Sequence, residues 1–117
     1  MQDGVKFENG GAFLRAILTG DIDHHSAKSI REKTDARLFV DKPTGLILDF
    51  SAVRFMDSSG IGLILGRLEV AREIGASVRL EGLSPTISKL VRLSGIEKIP
   101  GITVSGQTER KERQYNK

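Results

Sequence analysis

Cysteine is missing from this 117-residue chain, which excludes disulfides, thiolate metal sites and cysteine nucleophiles. Histidine is nearly missing. His24 and His25 are the only two, and sequence neighbours seldom reach one metal ion together from a helix or strand. Neither a metal nor a resident cofactor is therefore expected. Aromatic side chains make up 5%, with Tyr115 the single tyrosine, so little is available to stack on nucleic-acid bases. No apolar run approaches the roughly 20 residues of a membrane-spanning helix. Residues 1–6 lack the charged-then-apolar profile of a secretion signal. The expectation is a cytoplasmic protein with no membrane contact.

A strong charge of one sign is also lacking. The net charge is +3 and the pI is about 9.4, yet residues 105–117 alone hold four basic and two acidic side chains. Residues 1–104 are left with 14 basic and 13 acidic groups. A nearly neutral body with a polar, basic tail carries no electrostatic footprint for direct nucleic-acid binding.

With 38% hydrophobic and 28% charged residues, the chain has the composition of one soluble domain. Val5 to Glu8 alternates apolar and polar as a half-exposed strand does, and Asn9-Gly10-Gly11 marks a hairpin. Phe13 to Thr19 forms the returning strand. Asp23 is positioned to cap a helix from about His24 to Phe39, with Ala27, Ile30, Thr34 and Leu38 on one face. Leu46 to Phe50 is a short apolar run expected to be a central strand, followed by a turn from Ser51 to Asp57. A second helix runs from about Ser58 to Ile74 and stops at Gly75. Ser77 to Glu81 is a strand. Ser84-Pro85 opens a third helix that ends at Gly95, and Ile99 to Val104 is a candidate last strand. The order β-β-α-β-α-β-α, with that final strand in addition, implies an α/β domain over residues 1–104. Its mixed sheet of four to five strands packs with three to four helices. Residues 105–117 are expected to form a tail or a frayed helix.

The second helix contains Gly60, Gly62 and Gly66, each costing roughly 1 kcal/mol relative to alanine in a helix interior. Ile61, Ile64, Leu65, Leu68 and Ala71 define its expected buried face, with Leu63 and Val70 on the outward side. Gly62, Gly66 and Ser58 fall together to one side. Two explanations stand open: close packing inside the domain, or a smooth surface on which another protein approaches Ser58. Ser58 itself reads as an N-cap or as the first residue after an Asp57 cap.

The segments Thr19-Gly20-Asp21-Ile22-Asp23-His24-His25-Ser26-Ala27 and Phe55-Met56-Asp57-Ser58-Ser59-Gly60-Ile61-Gly62-Leu63-Ile64-Leu65-Gly66-Arg67, with Leu83-Ser84-Pro85 and Arg92-Leu93-Ser94-Gly95-Ile96, resemble the anti-sigma factor antagonists of the STAS domain family. The similarity is greatest to the sporulation branch, which controls sigma factor F, and it runs over residues 5 to about 104. What the resemblance implies is a regulator, not an enzyme. Its partner would be an anti-sigma factor that is also a serine kinase, with ATP and Mg belonging to that kinase. The kinase would phosphorylate Ser58 and so end binding, and a serine phosphatase would restore it. The implied contact surface comprises Asp23, Asp57, Ser58, Ser59, Gly60, Ile61, Gly62, Leu63 and Gly66. Related antagonists usually end in a helix with some apolar residues, which residues 105–117 scarcely offer.

Two other readings compete. A hydrolase would use Ser58 as nucleophile, His24 or His25 as base, and Asp23, Asp49 or Asp57 to orient it. The chain has no G-x-S-x-G elbow to support this. A related regulator would serve a general-stress or transporter-linked pathway instead.

Overall fold

The computed structural model describes residues 4–105. The hairpin comes first. Strand β1 (Gly4–Gly10) pairs antiparallel with β2 (Phe13–Ile22), closing on Gly10 opposite Phe13. Gly11 takes the first loop position at φ +70°, where a side chain would be strained.

From β2 onward the chain repeats a strand–helix step. Helix α1 (His24–Asp41) leads to β3 (Gly45–Met56), α2 (Ser58–Glu73) to β4 (Ser77–Glu81), and α3 (Pro85–Ser94) with a 3-10 turn (Ile96–Lys98) to β5 (Ile102–Val104). Strands β2 to β5 are parallel, and the sheet order is β1-β2-β3-β4-β5. Each crossover steps the same way along the sheet, so right-handed connections deliver all three helices to one face. The order β-β-α-β-α-β-α-β thus matches the sequence expectation, with β5 as the added strand.

Under the helices lie Leu14, Ala16 and Leu18 of β2, Leu46, Leu48 and Phe50 of β3, and Val78 and Leu80 of β4, all buried. The intervening residues point to the other face. There Arg15 meets Asp49 at 2.9 Å and Glu81 at 3.0 Å. Burial lowers the Arg15 pKa, but the two carboxylates outweigh it and raise the pKa overall. Asp49 is held below its ordinary range. Its burial acts upward and is outweighed by hydrogen bonds from the Ser51 N–H and hydroxyl and by Arg15.

Strands β2 and β3 are longer than the sequence suggested. Residues 20–22 extend β2, and residues 51–56, read as a turn, extend β3. Their pairing slips between Ile17 and Thr19 and again between Gly20 and Asp21, so ten residues of β2 lie beside twelve of β3. These bulges break the alternation that marks a strand, and Val53 and Met56 are buried three residues apart. Of the tail expected over 105–117, residues 106–117 lie outside the described residues.

Candidate functional site

Ile22 and Met56 are the last residues of two neighbouring parallel strands and pair with each other. The next residue on each strand, Asp23 or Asp57, caps the helix that follows. The Asp23 carboxylate accepts from the Ser26 N–H at 2.9 Å, and the Ser26 hydroxyl accepts from the Asp23 N–H at 3.0 Å, completing a capping box. The Asp57 carboxylate accepts from the Ser59 N–H at 2.8 Å. The Asp57 N–H donates to the Ile22 carbonyl at 3.1 Å, joining the two ends. Asp23 is exposed, and its pKa lies below the usual range, chiefly through the Ser26 N–H.

Ser58 is therefore the first helical residue, behind an Asp57 cap. It is exposed, and its hydroxyl has no hydrogen-bond partner among the described residues. The positive end of the α2 dipole lies beside it, while the Ser59 and Gly60 N–H groups are taken by the Asp57 carboxylate and carbonyl. Ser59 is half-buried, next to the groove between α1 and α2.

The three glycines of α2 have different reasons. A Cβ on Gly60 would overlap the Met56 side chain, so Gly60 is buried for packing. A Cβ on Gly62 or Gly66 would meet nothing within 4 Å. Packing within the described domain does not require those two glycines.

The expected faces of α2 need correction. Leu63, placed outward from sequence, is 4% exposed, and Leu65, placed inward, is 38% exposed. The reason is α1, which packs along the side holding Leu63 and Arg67. At 100° per residue, Leu65 shares the exposed strip of Ser58, Gly62 and Glu69. Gly60 and Leu63 thus lie behind the surface to which they were assigned. Ile61 is half-buried at its edge.

One feature escaped the sequence reading. Arg67, 3% exposed, reaches Asp35 of α1 at 2.7 Å through Nε and 3.1 Å through Nη2, and its Nη1 donates to the Leu63 carbonyl. Burial lowers the Arg67 pKa despite the Asp35 charge. No local spacing rule links residues 32 apart.

No hydrolytic triad is assembled among the described residues. Neither His24 nor His25 hydrogen-bonds Ser58, and the Asp49 carboxylate is engaged with Arg15 and Ser51. Among the described residues no three His, Asp or Glu side chains are grouped to hold a metal. No described helix is long and apolar enough to cross a membrane.

Comparison with known proteins gives the same direction. The STAS domain model matches residues 11–111. The chain is 38% identical over 79 residues to an anti-sigma F factor antagonist of Lysinibacillus sphaericus, covering 68% of each chain. It is 30% identical over 96 residues to an anti-sigma-B factor antagonist of Bacillus subtilis (strain 168), covering 82% of this chain and 84% of that one. Its fold is similar to the structure of the anti-sigma factor antagonist SpoIIAA in its unphosphorylated form, at TM-score 0.74 and 30% identity, covering 97% of this chain and 98% of that one. With its capped Ser58 exposed at the strand ends, this chain is a STAS-domain protein and belongs to the anti-sigma factor antagonists.

Proposed function

We propose that the unphosphorylated chain binds an anti-sigma factor that is also a serine kinase, through the exposed strip around Ser58 together with Asp23, and thereby frees the sigma factor. The kinase, supplying ATP and Mg, phosphorylates Ser58 and ends binding. A serine phosphatase restores the hydroxyl. One observation carries the reading: Gly62 and Gly66, about one and two turns along α2 from Ser58, each cost the helix roughly 1 kcal/mol relative to alanine while nothing within 4 Å of their missing Cβ atoms calls for them. A flush backbone surface serves a body outside the domain.

The switch needs no conformational change. Phosphate at a helix N-terminus is locally tolerated, and it adds about −1.5 to −2 charges next to the Asp57 carboxylate. At ~6 Å it would repel Asp57 by about 1 kcal/mol in water-like dielectric and by several at an effective value of 20. Burial in an interface without a matched cation adds several kcal/mol more. Since ~1.4 kcal/mol is tenfold in affinity, a loss of about 10²- to 10⁴-fold follows.

The pathway favoured is sporulation under sigma factor F, supported by the 38% identity to a sigma F-type antagonist. The second reading is general stress, supported by the 30% identity to a sigma-B-type antagonist. Incubating the chain with each kinase and ATP, then mapping phosphate by mass spectrometry, tests both. Modification of Ser58 by the sigma F-type kinase is expected. Ser58→Ala should bind unmodified and Ser58→Asp should bind poorly. Phosphate on Ser59, or tight binding by Ser58→Asp, would defeat the reading.

A further inference from the structure

The groove between α1 and α2 has a volume of about 410 Å³. Its α1 wall presents His24, Lys28 and Arg31, at the four- and three-residue spacing that aligns side chains on one helix face. Its α2 wall is Ser59, Gly62, Gly66 and the Asp35-paired Arg67, and Ala27 and Leu63 give it an apolar lining. No Asp or Glu lines it.

Lys28 and Arg31 on the α1 wall stand without a counter-charge, as do Lys6, Lys33, Lys89, Arg92 and Lys98 elsewhere among the described residues. Arg15, Arg37, Arg54, Arg67 and Arg79 are each matched to a carboxylate within 4 Å. The side chains of His24, Lys28 and Arg31 have no ion pair or hydrogen bond to any described residue. Asp35, the acid nearest in role, is engaged by Arg67 through both oxygens. Glu32, four residues after Lys28, lines an adjoining depression with His24, His25 and Lys28 but makes no ion pair with Lys28.

We infer that this groove is an anion subsite of the docking surface and receives a carboxylate-bearing segment of the partner kinase. An Asp or Glu side chain would lay its methylene stem along Ala27 and Leu63 and bring its charge to Lys28 and Arg31. The inference rests on the reading of the Ser58 strip as the kinase-binding surface. The volume is many times the ~30 Å³ share of one water, so it suits a side chain with part of its backbone better than one small inorganic ion. Gly62 and Gly66 keep that space open, since any larger side chain on either would narrow it. Phosphate on Ser58 has the same sign as the occupant. It would repel the segment, which gives the switch a second lever besides desolvation.

The test measures affinity of the unphosphorylated full chain for its cognate kinase at two salt concentrations. Its variants are Lys28→Glu/Arg31→Glu, Gly66→Leu and, as a control on the opposite sheet face, Lys6→Glu. All four positions are at least partly accessible and unpaired, and melting curves establish that each variant is folded. The double reversal should weaken binding by at least about tenfold and flatten its salt dependence. Gly66→Leu should also weaken binding, and Lys6→Glu should leave it unchanged. If the double reversal binds within about twofold of the parent while Ser58→Asp does not bind, the groove is overturned and the docking surface stands. If the parent itself does not bind the kinase, the docking reading falls and takes the groove with it. ATP titrated into the chain alone, followed by NMR at Lys28 and Arg31, should produce no saturating shift. A saturating shift abolished by the double reversal would assign a polyphosphate instead of a carboxylate segment.

Discussion

Asp23 and Asp57 are structural counterparts: each follows the last residue of one of two paired strands, and each caps the helix that begins there. The result places two helix N-termini side by side at the carboxyl edge of the parallel sheet, where α/β proteins commonly build their sites. Ser58 stands at that edge with its hydroxyl unoccupied.

Capping and charge can be separated at Asp57. Asp57→Ala should lower unfolding free energy by about 1 kcal/mol, because the Ser59 N–H loses its acceptor. Asp57→Asn keeps an acceptor and should lose less. Urea denaturation of the three proteins measures the difference.

The glycines make opposite predictions. Gly62→Ala should stabilise the fold by up to about 1 kcal/mol, since alanine is the better helix former and its Cβ meets nothing. The same change should weaken kinase binding. Gly60→Ala should destabilise, because its Cβ overlaps Met56 beneath the helix. Equal stability changes at both positions would remove the distinction between packing and surface glycines.

The Arg67–Asp35 pair joins α1 to α2. Asp35→Ala leaves a guanidinium that is 3% exposed without its counter-charge, and the expected loss is about 3 kcal/mol. Arg67→Met removes the buried charge as well and should be tolerated better. Thermal melts of the two variants decide the order.

Acid should weaken the fold. Asp23 and Asp49 both have folded pKa values below their ordinary range. The unfolded chain therefore binds protons first as pH falls. The stability these groups contribute is complete above about pH 5 and is lost as pH drops through their folded values. The urea midpoint should fall between pH 6 and about pH 3, and Asp49→Asn should reduce that fall.

Local signals were legible in the chain. Asn9-Gly10-Gly11 marked the hairpin, Ser84-Pro85 and Gly95 bracketed α3, and the alternation of strands and helices implied the sheet. The motif around Ser58 drew attention to the right helix end. What was illegible is non-local. Leu63 and Leu65 are both apolar, and only the position of α1 decides which is covered. Gly60 and Gly62 look alike in sequence, and only the Met56 side chain distinguishes them. Residues 51–56 read as a turn because their burial follows the bulged pairing with β2 and not a simple alternation.

Those bulges act as a length adjustment. In the unshifted register that opens the pairing, Phe13 lies opposite Gly45, and Ile22 would face Arg54 instead of Met56. The two surplus residues of β3, each worth about 3.3 Å of strand, bring Asp57 level with Asp23. Deleting one residue between 50 and 55 would pull Ser58 back relative to the α1 end even if every helix and strand still formed. The chain can thus keep its fold and lose the alignment of its two helix ends, so loop-length tolerance elsewhere should not extend to this stretch.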